Sequence, residues 1–168
     1  MDVIKGKVFV LGDNVDTDQI LPGYAMSEPF AQLGKFAMAG FPGLDFVNQV
    51  RPGDIIVGGR NFGCGSSREQ APIALKMSGV SLVIASSFSR IFRRNAINIG
   101  LPVFIADLAG LLKDGDMIEA DLPKGVIRYP GGAINAAPLS GNPLKTLEYG
   151  GLIPRVKAGL AARKLKET

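Results

Sequence analysis

The stretch DIIVGGRNFGCGSSREQAPIALKMSGVSLVIA, residues 54–85, decides the architecture. It sets an apolar run (54–59), a glycine-rich turn, a helical segment (72–79) and a second apolar run (80–85) in direct succession. Short runs rich in Ile and Val, with no polar alternation, read as strands buried on both faces. Pro72 suits an early helical position and Gly79 suits the stop. A strand, a helix and a strand at this spacing form a parallel crossover. The pattern then repeats. SFSRIFRRNAINIG (87–100) sets Phe88, Ile91, Phe92, Asn95 and Ile99 along one helical face, and LPVFIAD (101–107) is a third strand. The class expected is α/β with a parallel-sheet core.

Working outward, KGKVFVLGD predicts a strand over Val8–Leu11, followed by the loop GDNVDTDQILPG (12–23). Residues 24–53 have no clean period and are broken by Pro29, Gly34, Gly40, Pro42 and Pro52. They read as a long excursion with one or two helical turns between Phe30 and Ala39, and excursions of this length tend to be functional. Beyond residue 107, Asp-Gly, Pro-Lys-Gly and Pro-Gly-Gly punctuate short apolar runs, which predicts hairpins adding a small β layer. NPLKTLEYGG (142–151) reads as a short helix, and 152–168 as an amphipathic, basic C-terminal tail. No repeat or linker divides the chain, so 1–168 is expected to form a single domain.

Composition narrows the chemistry. The chain has one Cys (Cys64) and no His, which excludes an internal disulfide and removes the commonest general base. No zinc site or cysteine-ligated iron–sulfur cluster can be assembled from it. Cys64 is expected to be a buried structural thiol. The net charge of +4 is concentrated partly at Arg90, Arg93 and Arg94 and in the tail. Solvated helix faces account for such runs, as does attraction of a small polyanion. The basic residues are not interleaved with aromatics, so no nucleic-acid partner is expected. No apolar run approaches the roughly 18 residues of a membrane span, and no membrane association is expected. The start lacks a signal-peptide layout, which predicts a cytoplasmic protein, or a plastid one if a transit peptide has been removed.

Two readings of GCGSSRE (63–69) stand side by side. In the first, Ser66 with Glu69 and Ser67 with Gln70 are capping boxes at a helix start. In the second, the turn lies at the carboxyl end of a parallel strand, where open sheets place ligands. There Arg68 offers a two-pronged grip on a carboxylate. The loop 12–23 is the second candidate. Asp13, Asp16 and Asp18 form Asx turns, or one of them orients a proton-carrying neighbour. They lack the length and closing Glu of a calcium loop, so no metal is expected.

These motifs together, DNVDTDQILP, GGRNFGCGSSREQAPIALKMSGVSLVIASSFSRIFRRNAINIGLPV and GGLIP, resemble the small subunits of 3-isopropylmalate dehydratase, in the aconitase superfamily. The resemblance runs from about Lys7 to Ile153. It implies a swivelling β/β/α domain that closes over a 4Fe–4S cluster carried by a separate large subunit, and a chain inactive alone. It implies dehydration and rehydration of a hydroxy dicarboxylate, 2-isopropylmalate, in leucine biosynthesis. By position, Ser66 matches the catalytic base, Arg68 the carboxylate-binding arginine and Ser67 a supporting hydroxyl. Asp18 matches an aspartate that pairs with a histidine of the large subunit.

The segment after ILP departs from the family's usual Tyr-Leu-x-Thr. Here it reads GYAMSEPF, so Tyr24 and Met26 stand as the expected contacts of the substrate's substituent. No cation lies between Gly23 and Gly34, which favours an apolar substituent over the extra carboxylate of homoaconitate. Citramalate and dimethylmalate fit the same pocket chemistry.

Overall fold

A computed structural model of the protein describes residues 1–167. Seven strands form one mixed sheet: β1 (Ile4–Val10), β2 (Ile55–Gly58), β3 (Leu82–Ala85), β4 (Val103–Ile105), β5 (Met117–Asp121), β6 (Val126–Tyr129) and β7 (Gly132–Asn135). Their order across the sheet is β4-β3-β2-β1-β5-β6-β7. The strands from β1 to β4 are parallel, with Ile55, Ile56 and Val57 of β2 opposite Leu82, Val83 and Ile84 of β3. All four residues of β2 and of β3 are buried, which is why their sequences run apolar without alternation.

The strand β1 joins two kinds of pairing. Its first half, Ile4–Lys7, pairs antiparallel with β5, and Val8–Val10 pair parallel with β2. The strand therefore begins four residues earlier than the apolar run VFVL suggests, because Ile4–Lys7 gain a partner more than a hundred residues away. The added hairpins β5-β6-β7 continue the sheet through this strand.

Six α-helices complete the described residues: α1 (Thr17–Ile20), α2 (Phe46–Gln49), α3 (Gln70–Met77), α4 (Arg90–Asn98), α5 (Gly141–Glu148) and α6 (Leu152–Lys166). The excursion 24–53 holds short 3-10 turns at Gly23–Ala25 and Phe30–Phe36, in addition to α2. The second of these lies so close to α3 that a Cβ on Gly34 would sit 2.7 Å from the Met77 carbonyl. Leu33, Ala37 and Met38 are fully buried there, so the excursion is folded onto the core. No residue of α6 is buried.

Two expectations are corrected. Of the predicted inner face of α4, Phe92 is buried and Ile99 partly so, but Ile91 is 43% exposed; Ala96 and Ile97 are buried instead. Phe92 sets that rotation by seating directly beneath Gly63 and against Phe62, with ring centroids 5.4 Å apart. Cys64 is half-buried, because the turn that carries it lies at the rim of the sheet.

Gly63 has φ +78°, and a Cβ there would collide with the Phe92 ring. Gly63→Ala is expected to lower the unfolding free energy by about 2–4 kcal/mol, the sum of left-handed backbone strain and overpacking. Urea denaturation measures it, and a loss below about 0.5 kcal/mol would show that the turn relaxes freely.

Candidate active site

The site forms where the loops leaving β1 and β2 are zipped together by main-chain hydrogen bonds. Leu11 N–H donates to Val57 C=O at 2.8 Å, Gly59 to Gly12 at 3.0 Å, Asn14 to Arg60 at 2.8 Å, Gly63 to Val15 at 2.7 Å and Thr17 to Cys64 at 2.8 Å. Asp13 reinforces the zipper by accepting from Arg60 N–H at 2.7 Å. That backbone bond, followed by the Arg60 guanidinium, holds the Asp13 carboxyl below its ordinary value. Two asparagines in left-handed backbone, Asn14 (φ 55°) and Asn61 (φ 59°), face each other across the loops and hydrogen-bond at 3.2 Å. Asparagine is among the side chains that tolerate this conformation. The loop after β3 is tied in from the other side, since Ser89 Oγ donates to Gly63 C=O at 2.9 Å.

At the end of the zipper, Asp16 caps α1. Its carboxylate accepts from Gln19 N–H at 2.8 Å while the Gln19 side chain accepts from Asp16 N–H at 3.0 Å. This reciprocal box fixes Thr17 and Asp18. Neither box expected in GCGSSRE forms. The helix α3 begins at Gln70 with Glu69 at its N-cap position and no side-chain cap, three or four residues beyond the two serines. Both serines are therefore exposed on the turn, and their hydroxyls are not spent on helix caps. Ser66 Oγ lies 3.4 Å from Thr17 Oγ1. The N–H groups of Gly65, Ser66 and Ser67 donate to no acceptor among the described residues.

Arg68 is held from the opposite loop. Its Nη1 donates to the Leu21 carbonyl at 2.8 Å, and its Nη2 is ion-paired with Asp18. The Arg68 side chain is 19% exposed and that of Asp18 is 70% exposed, so the pair presents its carboxylate end to solvent. Gly23 lies against the same guanidinium, 3.9 Å from it as measured from a Cβ position.

An open cleft of about 1010 Å³ adjoins this arrangement. Thr17, Ser66, Ser67 and Arg68 line one end, and Arg90, Arg93 and Arg94 of α4 line its wall. Four of the six residues expected at the site thus meet: Ser66, Ser67 and Arg68 in the cleft, and Asp18 through its ion pair. Tyr24 and Met26 are not on the cleft wall. Tyr24 is 70% exposed, its ring edge-on to Phe36 at 6.1 Å, and Met26 is half-buried against the core. Thr17 and the Leu21 carbonyl were not anticipated. The capping pattern D-x-x-Q at Asp16–Gln19 was the available signal for Thr17. Nothing in a sequence announces a main-chain carbonyl as a guanidinium partner.

No group of three or more Cys, Asp or Glu suited to a metal occurs among the described residues. No helix among them is long and apolar enough to cross a membrane. Burial, and then the Asp16 carboxylate, push the Cys64 thiol above its ordinary value. A raised thiol stays protonated where a free cysteine is already partly thiolate. Cys64 should therefore react more slowly than free cysteine with a chromogenic disulfide at pH 8, and accelerate as pH rises further. A rate at pH 8 equal to that of free cysteine would contradict this environment.

Comparison with known proteins agrees with the geometry. The aconitase C-terminal domain family matches residues 37–107. A homoaconitase small subunit of Methanothermobacter thermautotrophicus is 51% identical over 154 residues, 90% of this chain and 89% of that one. An isopropylmalate/citramalate isomerase small subunit of Methanocaldococcus jannaschii is 47% identical over 163 residues, 95% and 96% of the two chains. The crystal structure of a 3-isopropylmalate dehydratase from that same organism superposes with a TM-score of 0.92 at 43% identity, covering 98% of this chain and 99% of that one. The chain belongs to the family of small subunits of 3-isopropylmalate dehydratase and related isomerases, the C-terminal swivel domain of the aconitase-type hydro-lyases.

Proposed function

We propose that this small subunit works with a large subunit to convert 2-isopropylmalate to 3-isopropylmalate, with Ser66 as the base and Arg68 as the carboxylate anchor. The observation that carries the reading is that Ser66 and Ser67, with the free N–H groups beside them, open into the cleft next to a guanidinium, uncommitted to helix capping. A serine hydroxyl is a poor base at its free pKa and needs adjacent positive charge and donors. Arg68 and the unsatisfied turn N–H groups are such donors.

In this reading Ser66 Oγ, deprotonated, takes a proton from the carbon beside the carbinol. The electron pair forms the alkene as hydroxide leaves, and readdition with the two positions exchanged puts the hydroxyl on the carbon next to the one bearing the isopropyl group, giving 3-isopropylmalate. Loss of hydroxide needs a Lewis acid, which is the chemistry a 4Fe–4S cluster on the large subunit supplies. This chain, with one thiol and no imidazole, does not have the ligands to hold that cluster itself. Its own residues bind and deprotonate. Arg68 grips one substrate carboxylate through its planar fork, displacing Asp18, and Ser67 donates beside it. The freed Asp18 carboxylate then faces outward, toward a histidine of the large subunit. Tyr24 and Met26, on the segment that touches Arg68 at Gly23, meet the isopropyl group when that segment is covered by the partner.

Reconstituted enzyme tests the assignment. Ser66→Ala is expected to lower kcat by about 10²–10⁴-fold with subunit pairing intact, the range for a lost acid–base group. Arg68→Lys is expected to raise KM about tenfold or more, because a point charge does not replace the fork. Retention of wild-type kcat by Ser66→Ala would remove the serine from the mechanism. A panel of 2-isopropylmalate, citramalate, dimethylmalate and homoaconitate, followed by alkene absorbance, tests the substrate. A preference for homoaconitate would overturn the argument from the missing cation in 23–34.

A further inference from the structure

The cleft is larger than the proposed chemistry requires. It runs the length of α4, from the turn 63–68 at one end to Asn98, with Asn142, Pro143 and Thr146 of α5, at the other. Nine helical residues rise about 13 Å, whereas 2-isopropylmalate, a four-carbon dicarboxylate backbone with one isopropyl branch, spans only part of that length when gripped by Arg68.

Along this wall stand Arg90, Arg93 and Arg94, a strip of about one helical turn. Their side chains make no ion pair or hydrogen bond with any described residue, and Arg93 Nε is shut off from water without an acceptor. No Asp or Glu among the described residues lines the cleft. Arg90 and Arg94, four residues apart, repel one another with nothing between them to offset it. Two large apolar side chains on the same walls, Ile91 and Ile105, are 43% and 45% exposed.

We infer that this strip is the docking groove for an acidic segment of the large subunit, seated beside the active site. The inference rests on the small-subunit reading and specifies the surface and chemistry of that pairing. Charge complementarity selects the occupant. Three unpaired guanidiniums with two isoleucines match carboxylates on an apolar ridge. A lone small anion fits the groove less well, because it would leave the isoleucines wet. A second copy would bring another chain of net charge +4 against the strip.

The test measures association directly. The large subunit is immobilised, and this chain is bound to it across a salt series, as wild type, as Arg90→Glu/Arg94→Glu, as Arg90→Lys/Arg94→Lys and as Ser66→Ala. Both arginines are exposed, so reversal leaves the fold intact by circular dichroism; if the double variant fails to fold, Arg94→Glu alone gives the same readout. Charge reversal is expected to weaken binding about tenfold or more at low salt and to flatten its salt dependence. The lysine pair should stay within about threefold of wild type, since a general field needs only charge. Ser66→Ala should bind normally and be inactive.

Wild-type affinity in the reversed variant would overturn the groove while leaving the proposed function standing. Absence of any wild-type association would overturn both. Malate titrated against the arginine Nε–H resonances gives the remaining outcome. Saturable binding there, with large-subunit affinity indifferent to charge reversal, would mark a small-anion site and overturn docking.

Discussion

Parallel pairing between β1 and β2 does not stop where the strands do. Five further main-chain bonds carry it through the two following loops, from Leu11 and Val57 to Thr17 and Cys64. Because each bond fixes one residue against another, the register of the sheet becomes the register of the site. Thr17 lands beside Ser66, and Leu21 lands where Arg68 can reach its carbonyl. Loops held this way behave as an extension of the sheet, and chemistry built on rigid elements keeps its geometry better than chemistry on free loops. The left-handed asparagines at positions 14 and 61 belong to the same device. Strain of this kind persists only where surrounding bonds over-determine the chain, and here they do.

That rigidity explains how a helix start lost its caps. Had α3 begun at Ser66 or Ser67, the serine hydroxyls would have been consumed by backbone N–H groups. The Asp16–Cys64 pairing and the left-handed glycines at 63 and 65 keep the turn out of helical conformation, so α3 does not begin until Gln70. The serines and their N–H groups are left facing the cleft. On the proposed reading capping and catalysis compete for the same hydroxyl, and the zipper decides between them.

The parallel core was legible because both central strands are buried on both faces and so had to be written in Ile, Val, Leu and Ala. The hairpins after residue 107 were legible through their turn residues. The early start of β1 was not, since IKGK has no strand pattern of its own and is held by pairing with β5. In the site, the residue types of GSSR were visible, but S-x-x-E reads as a capping box from local spacing alone. Local spacing carries no information about a bond from Thr17 to Cys64. The rotation of α4 was misread for a similar reason. Ile91 fits the apolar period better than Ile97 does, and the seat of Phe92 beneath Gly63 overrides that period.

What this chain lacks follows from where its site lies. Ser66 and Ser67 are exposed, and an alkoxide in open water gains nothing over hydroxide, so the proposed proton abstraction at Ser66 requires a surface that covers the cleft and expels solvent. The chain's own elements do not provide it, because α6 buries none of its residues and the cleft opens outward along α4. On the proposed reading the large subunit brings the Lewis acid and the cover in the same movement. The ion pair of Arg68 with Asp18 then has a role before closure. It gives a second partner to a guanidinium whose side chain is only 19% exposed and which would otherwise have the Leu21 carbonyl alone, and it is weak enough, with Asp18 70% exposed, to give way to a substrate carboxylate. An arginine kept in place by a main-chain carbonyl and lent to a surface aspartate is already oriented when the substrate arrives, and orientation is the part of binding that a flexible side chain would have to supply at the moment of closure.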